Sequence, residues 1–181
     1  MEEPEEKLVE RAKGDPEAFG VLYERYVDRI YQYVFYRTGN RYDAEDLTAK
    51  TFYKALANLN RYRHRGLPFS AWLYRIAHNL VANWHRDRQR RKAIPLDSLV
   101  LALEERQAAQ DVVESGERKE GLRKAIAGLA PDRQQLLILK FVTGLSNQEI
   151  GVAMGRSEGA IKALYHRTLI ALRKDLQRRG F

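Results

Sequence analysis

The chain contains no cysteine, which excludes a disulfide framework, a thiolate zinc site and a cysteine nucleophile. Long apolar runs are missing as well. None approaches the roughly 18 residues a membrane-spanning helix needs, and the opening MEEPEEKLVE is acidic where a secretory leader would be basic and then apolar. A cytoplasmic location is the expectation. No segment alternates convincingly as a strand, and there is no internal repeat or low-complexity tract. The phosphate-cradling pattern GxxxxGK followed by Ser or Thr, a glycine-rich dinucleotide turn and the nucleophile motif GxSxG are also absent. Neither enzymatic turnover nor a cofactor is expected. A metal is not expected either. Asp43, Glu45 and Asp46 fall at a helix start, where unpaired N–H groups favour carboxylates anyway. His78 and His85 share a helix face, but no cysteine or well-placed carboxylate completes a site there.

What the chain does have is positive charge, unevenly placed. Its 181 residues carry 32 Lys and Arg against 24 Asp and Glu, a net charge of +8. The excess gathers in 61–92 and 121–181, while 1–30 and 93–120 are acidic. Two basic blocks suggest two contacts with a polyanion such as nucleic acid, because each Lys or Arg near a phosphate releases counterion. Two solvated helix faces would give the same pattern, and charge alone leaves both readings open.

Apolar spacing predicts an all-α chain of two small helical units joined by a flexible linker: residues 1–92, 93–117 and 118–181. In the first unit a weak helix over 5–13 precedes one that Asp15 caps and Pro16 starts, with Phe19, Tyr23, Tyr26, Ile30, Tyr33 and Val34 facing inward. A third helix, capped by Asp43, carries Phe52, Ala55, Leu56 and Leu59 on its apolar stripe. After the basic loop NRYRHRGLP comes a fourth, with Phe69, Leu73, Ile76, Ala77, Leu80 and Trp84 inward and a basic far side. Pro95 and Gly116 interrupt the acidic linker.

In the second unit helices are expected over about 118–128 and from Pro131 toward Gly144. LSNQEIGVAMG follows with a capping box from Ser146 and Glu149, and the GRS turn leads into a last helix from about 158 to 177 capped by Ser157. Two capped helices around a glycine-containing turn have the form of a helix-turn-helix, whose second helix enters the major groove. Projection turns Ile161, Tyr165, Thr168, Leu169 and Leu172 inward. Arg156, Ser157, Glu158, Lys162, Ala163, His166 and Arg167 face outward: Arg156, Lys162 and Arg167 for phosphate or guanine, Glu158 for cytosine N4, and Ser157 with its first-turn N–H groups for a phosphate. In the first unit, Arg61, Arg63 and Arg65 in the loop, with Arg75, Asn79, Asn83, Arg86 and Arg90 on the fourth helix, form a positive, hydrogen-bonding track suited to an opened strand. Tyr62 and His64 could stack on a base or pack. Trp72 lies outside the main stripe and could serve either role.

Three stretches in this order, GDPEAFGVLYERYVDRIYQYVFYRTGNRYDAEDLTAKTFYKAL, LPFSAWLYRIAHNLVANWHRDRQR and LAPDRQQLLILKFVTGLSNQEIGVAMGRSEGAIKALYHRTLIALRKDL, resemble the bacterial RNA polymerase sigma factors of extracytoplasmic-function type. The resemblance implies a sigma domain 2 over 1–92 and a sigma domain 4 over 118–181. It further implies contact with the clamp helices of core polymerase through Asp43, Glu45, Asp46, Leu47, Thr51 and Phe52. The loop 60–68 and helix 69–92 would capture a base of the −10 promoter element and hold the separated strand, while residues 156–167 would read the −35 duplex. It also implies promoter DNA and an anti-sigma factor as partners. Within that pattern Ala49 and Lys50 stand where QE is frequent, and Ala163 and Leu164 stand where serine and arginine are frequent. Outward-facing Leu164 and Ile170 would then suit a protein partner. A stand-alone helix-turn-helix regulator with an N-terminal dimerisation or sensing domain is the other reading, although such a domain has no reason to carry the 61–92 basic block.

Overall fold

Side-chain caps mark where four of the described helices begin. In the computed structural model, which describes residues 3–88, 99, 100, 103 and 116–181, α1 (Glu5–Ala12) ends in a turn at Lys13 and Gly14. The Asp15 carboxylate then accepts the Glu17 N–H at 3.0 Å and Pro16 opens α2 (Pro16–Thr38), which stops where Gly39 takes a left-handed φ of 65°. Asn40, rather than Asp43, caps α3 (Arg41–Asn58) by accepting the Asp43 N–H at 3.0 Å, so the helix starts before the expected aspartate. A single 3-10 turn, Leu59–Arg61, leads to the basic loop and then to α4 (Phe69–Arg88).

The second unit holds α5 (Gly116–Ala127), α6 (Pro131–Leu137), α7 (Asn147–Met154) and α8 (Glu158–Arg178). A π-helical stretch, Ile138–Val142, prolongs α6. Every described element is helical, which matches the all-α expectation.

Burial follows the predicted periodicity with shifts of one position. On α2, Leu22 is fully buried while Tyr23, expected inward, is 42% exposed and meets the buried Phe52 ring edge-on at 4.8 Å. On α3, Leu56 is exposed and Ala44, Leu47, Thr48 and Thr51 are inside. On α4 the core stripe turns toward Tyr74 and Val81, leaving Ile76, Leu80 and Trp84 only half-buried.

The two units are not separate bodies. Buried apolar side chains from Leu8 to Leu172 form one connected cluster, in which α7 packs on α4 and the π-helical stretch reaches α2. Leu99 and Val100, placed in the expected flexible linker, are buried within that cluster. Their sequence surroundings are acidic and weakly periodic, so only the tertiary contact reveals their role.

Candidate nucleic-acid interface

The basic loop owes its shape to contacts at both ends. At its start the Tyr62 N–H bonds the Leu59 carbonyl at 3.0 Å, and the Tyr62 ring packs against Phe69 at 5.2 Å and Trp72 at 4.9 Å. Gly66 adopts a φ of 73°, which a side chain would strain, and thereby turns the loop back toward α4. Arg61, Arg63, His64 and Arg65 are exposed along it. Tyr62 is half-buried, so of the two aromatic candidates only His64 stands clear of the protein. Burial, with the nearby Glu5 and Glu6, pushes the Tyr62 phenol above its usual pKa, which keeps it neutral.

Beside this loop, Lys54, Asn58, Arg61, Trp72, Ile76, Asn79, Leu80 and Asn83 line a cleft of about 360 Å³. Its chemistry is mixed. Trp72, Ile76 and Leu80 give a flat apolar floor, Asn58, Asn79 and Asn83 offer amide donors and acceptors, and Lys54 and Arg61 add positive charge. Arg86 donates to the Asn83 amide oxygen at 2.8 Å and extends the polar rim. The half-burial of Ile76 and Leu80, unexpected from the apolar stripe, is what makes the floor. Arg75 leaves this track: its guanidinium donates to the Val152 carbonyl of α7 at 3.1 Å. Arg90 lies outside the described residues.

The expected helix-turn-helix is formed by α7 and α8. Ser146 Oγ accepts the Glu149 N–H at 3.2 Å while the Glu149 carboxylate accepts the Ser146 N–H at 2.7 Å, closing the capping box. The turn is tight enough that a Cβ on Gly151 would lie 2.7 Å from the Arg156 carbonyl oxygen, and Gly155 takes a φ of 66°. Ser157 Oγ accepts the Ala160 N–H at 3.2 Å and so caps α8. Lys162, His166 and Arg167 are exposed on α8. Lys162 sits 2.6 Å from the Glu158 carboxylate, whose pKa this partner lowers, and Arg156 sits 3.1 Å from Asp132.

Projection misplaced two leucines. Leu164 is buried, and Leu169, expected inside, is 42% exposed beside Ile170. The core stripe of α8 is Ile161, Leu164, Thr168 and Leu172, a spacing of three and then four residues that follows the side chains more closely than the stripe drawn from sequence. Leu164 is therefore no surface contact, and its apolar character answers to the core.

On α3, Asp43, Glu45 and Asp46 remain accessible, with Glu45 paired to Arg41 at 2.8 Å and Asp46 to Lys50 at 2.7 Å. Leu47, Thr51 and Phe52 are buried, and the Thr51 hydroxyl donates to the Leu47 carbonyl. These three hold the helix in place and cannot themselves touch a partner. The exposed neighbours that sequence reasoning passed over are Tyr42 and Tyr53, joined by Leu56, which was expected inside. Tyr42 lies three residues before Glu45 and four before Asp46, and Tyr53 lies seven, or two turns, after Asp46, a signal that helical projection could have supplied.

Among the described residues there is no cluster of His, Asp and Glu able to hold a metal, and no helix is long and apolar enough to cross a membrane.

Residues 22–91 match the family described as Sigma-70 region 2, and residues 119–172 match Sigma-70, region 4. The chain is 38% identical to the ECF RNA polymerase sigma factor BldN of Streptomyces coelicolor over 94% of its own length, and spans 65% of that protein. It is 32% identical to the ECF RNA polymerase sigma factor SigW of Bacillus subtilis, over 91% of this chain and 92% of that one. The solved structure of CnrH in complex with the cytosolic domain of CnrY has a similar fold, with a TM-score of 0.67, 22% identity, and coverage of 96% of this chain and 97% of CnrH.

Proposed function

The chain belongs to the extracytoplasmic-function RNA polymerase sigma factors, and on that footing we propose how its residues divide the work of promoter recognition. The protein binds core RNA polymerase and promoter DNA through its region 2 and region 4, and has no catalytic task of its own. In our assignment the exposed face of α3, with Asp43, Glu45, Asp46, Tyr42 and Tyr53, docks on core polymerase. The loop 62–68 and the cleft floored by Trp72, Ile76 and Leu80 take an unstacked −10 base. Lys162, His166 and Arg167 on α8, with Glu158 and Arg156 at its start, contact the −35 duplex, Arg167 at a phosphate and Glu158 at a base edge. The observation that carries this assignment is the cleft itself: flat, amide-rimmed and positive, immediately beside the exposed arginines of the loop.

An anti-sigma factor is a further partner in this reading. The adjacent exposed side chains Leu169 and Ile170 on α8 offer it an apolar contact. A protein that works beside RNA polymerase belongs in the cytoplasm, where we place this one.

Reconstitution tests the assignment. The purified chain should join core polymerase and direct transcription from a two-element promoter, and Asn79→Ala with Asn83→Ala should reduce open-complex formation without reducing core affinity. Tight duplex binding by the chain alone, with no core association, would overturn it.

A further inference from the structure

Helix α1 lies outside the segment that matches sigma-70 region 2, which starts at residue 22. Yet it reaches both ends of the basic loop. Lys13, in the turn that ends α1, donates from Nζ to the Tyr62 carbonyl at 3.2 Å, at the loop's first residue. Glu5, in the first turn of α1, accepts the Phe69 N–H with one carboxylate oxygen, where the loop ends and α4 begins. Its other oxygen accepts the Tyr26 hydroxyl proton from α2.

Each hook is itself held in place. The Lys13 ammonium is also paired with Glu10 at 2.5 Å, and its side chain is only 16% exposed. The Glu5 carboxylate faces the N-terminus of α4, where the unpaired N–H groups favour negative charge. Tyr26 stays protonated as the donor, because burial first, and then the Glu5 carboxylate, push the phenol well above its ordinary pKa. Leu8, Val9 and Ala12 are buried in the core, so α1 is a fixed platform.

We propose that α1 is a positioning element for the −10 capture loop: Lys13 and Glu5 fix its two ends and so set how strictly the loop discriminates among bases. Between the hooks His64, Arg65 and Gly66 project into solvent, while the exposed Arg63 donates back to the Asn60 and Tyr62 carbonyls at 3.0 Å, so the loop's aim depends on its anchored ends. Selection among bases relies on groups held to within a fraction of an ångström. Freeing one end lets the loop sample placements that accept wrong bases as readily as the right one, with little loss in overall charge attraction. The proposal rests on the loop's assignment to the −10 element.

The test uses holoenzyme reconstituted from the full chain and core polymerase. Pre-melted promoter duplexes carry each of the four bases at each −10 position, and the readout is the affinity ratio between preferred and disfavoured bases. Lys13→Met and Glu5→Leu should each lower that ratio about five- to tenfold, while −35 preference and core affinity stay at the wild-type level. Lys13→Arg and Glu5→Gln, which keep a donor and an acceptor in place, should restore most of it. An unchanged ratio in Lys13→Met and Glu5→Leu overturns the proposal, and so does a loss that runs parallel with −35 preference and melting temperature, since that marks a general folding defect. Arg63→Ala and His64→Ala serve as the control on the underlying assignment. If these loop variants leave the ratio unchanged, the loop does not read the −10 element and the proposal falls with that assignment. If they lower it and the α1 variants do not, only the role of α1 is overturned.

Discussion

Gln135 of α6 donates its side-chain amide to the hydroxyl of Tyr33 on α2 at 3.1 Å, joining residues 102 positions apart across the boundary between the two units. The same amide nitrogen meets His78 Nδ1 on α4, and its oxygen accepts from the Arg37 guanidinium at 3.2 Å. One buried amide thus gathers three side chains of region 2 around a residue of region 4, and every hydrogen-bonding capacity of the network bears on the others.

Replacing Gln135 by leucine strands the Arg37 and Tyr33 groups without their partner in a buried place, where an unmet polar group costs about 1–3 kcal/mol. Gln135→Leu should therefore lower the unfolding free energy of the full chain by that amount and increase hydrogen exchange in the amides of both α2 and α6. Exchange that rises in α6 alone would mean that the network does not couple the units.

His78 gives the network a pH dependence of definite sign. Burial, followed by the charges of Arg37, Arg75 and Arg156, lowers its pKa from 6.5 to about 4, so the imidazole stays neutral and can accept from Gln135. In the unfolded or separated chain it protonates near 6.5. The packed form is thus favoured fully above that pH and loses ground as pH falls toward about 4. Denaturation at pH 7.5 and at pH 5 should show a stability lower by about 1–2 kcal/mol at the acid pH, given the group's partial exposure. His78→Asn should reduce this difference.

The packing of the two units also meets a simple length. The −35 and −10 elements are about 25 base steps apart, or roughly 85 Å of duplex at 3.4 Å per step, whereas a compact chain of this size has a radius of gyration of about 16 Å. On the proposed assignment of the two grips, holding both elements at once requires the Arg75–Val152 contact to open. Fluorophores on exposed Glu24 of α2 and Lys174 of α8 should move apart by tens of ångströms when holoenzyme binds a two-element promoter, and stay close in the free chain. An unchanged transfer efficiency would place both contacts on the closed form.

Local signals made much of this legible from sequence. Asp15 with Pro16, Ser146 with Glu149, and Ser157 each act within a few residues of themselves, so their caps could be read directly. The burial of Leu164 in place of Leu169 was missed because both lie near the edge of the apolar stripe, where packing against α5 and α6 decides. Gln135 carried no signal at all. A glutamine in an apolar helix reads as its solvent side, and its partners Tyr33, Arg37 and His78 are known only once α6 is laid on α2 and α4. The burial of Leu99 and Val100 was hidden for the same reason, because only a tertiary surface separates a docked segment from a tether. The cleft needed Ile76 and Leu80 at half-burial, a compromise between core and ligand that a binary apolar pattern does not express.

On the proposed −35 helix, Glu158 and Arg167 should give opposite phenotypes. No carboxylate among the described residues pairs with Arg167, so Arg167→Ala should weaken duplex binding evenly across sequences and flatten the salt dependence by about one phosphate contact. Glu158 lies 2.6 Å from Lys162 and neutralises it, yet its carboxylate is placed at the start of the helix, where a cytosine N4 donor can be accepted. Glu158→Gln frees Lys162 for phosphate and removes the charged acceptor. Holoenzyme carrying it should bind mixed-sequence duplex more tightly and prefer the −35 element less, by about 1–3 kcal/mol at one base pair. Anisotropy titrations of both duplexes over a salt series separate the two effects. A Glu158→Gln variant that gains affinity equally on both sequences would show that Glu158 tempers charge without reading a base.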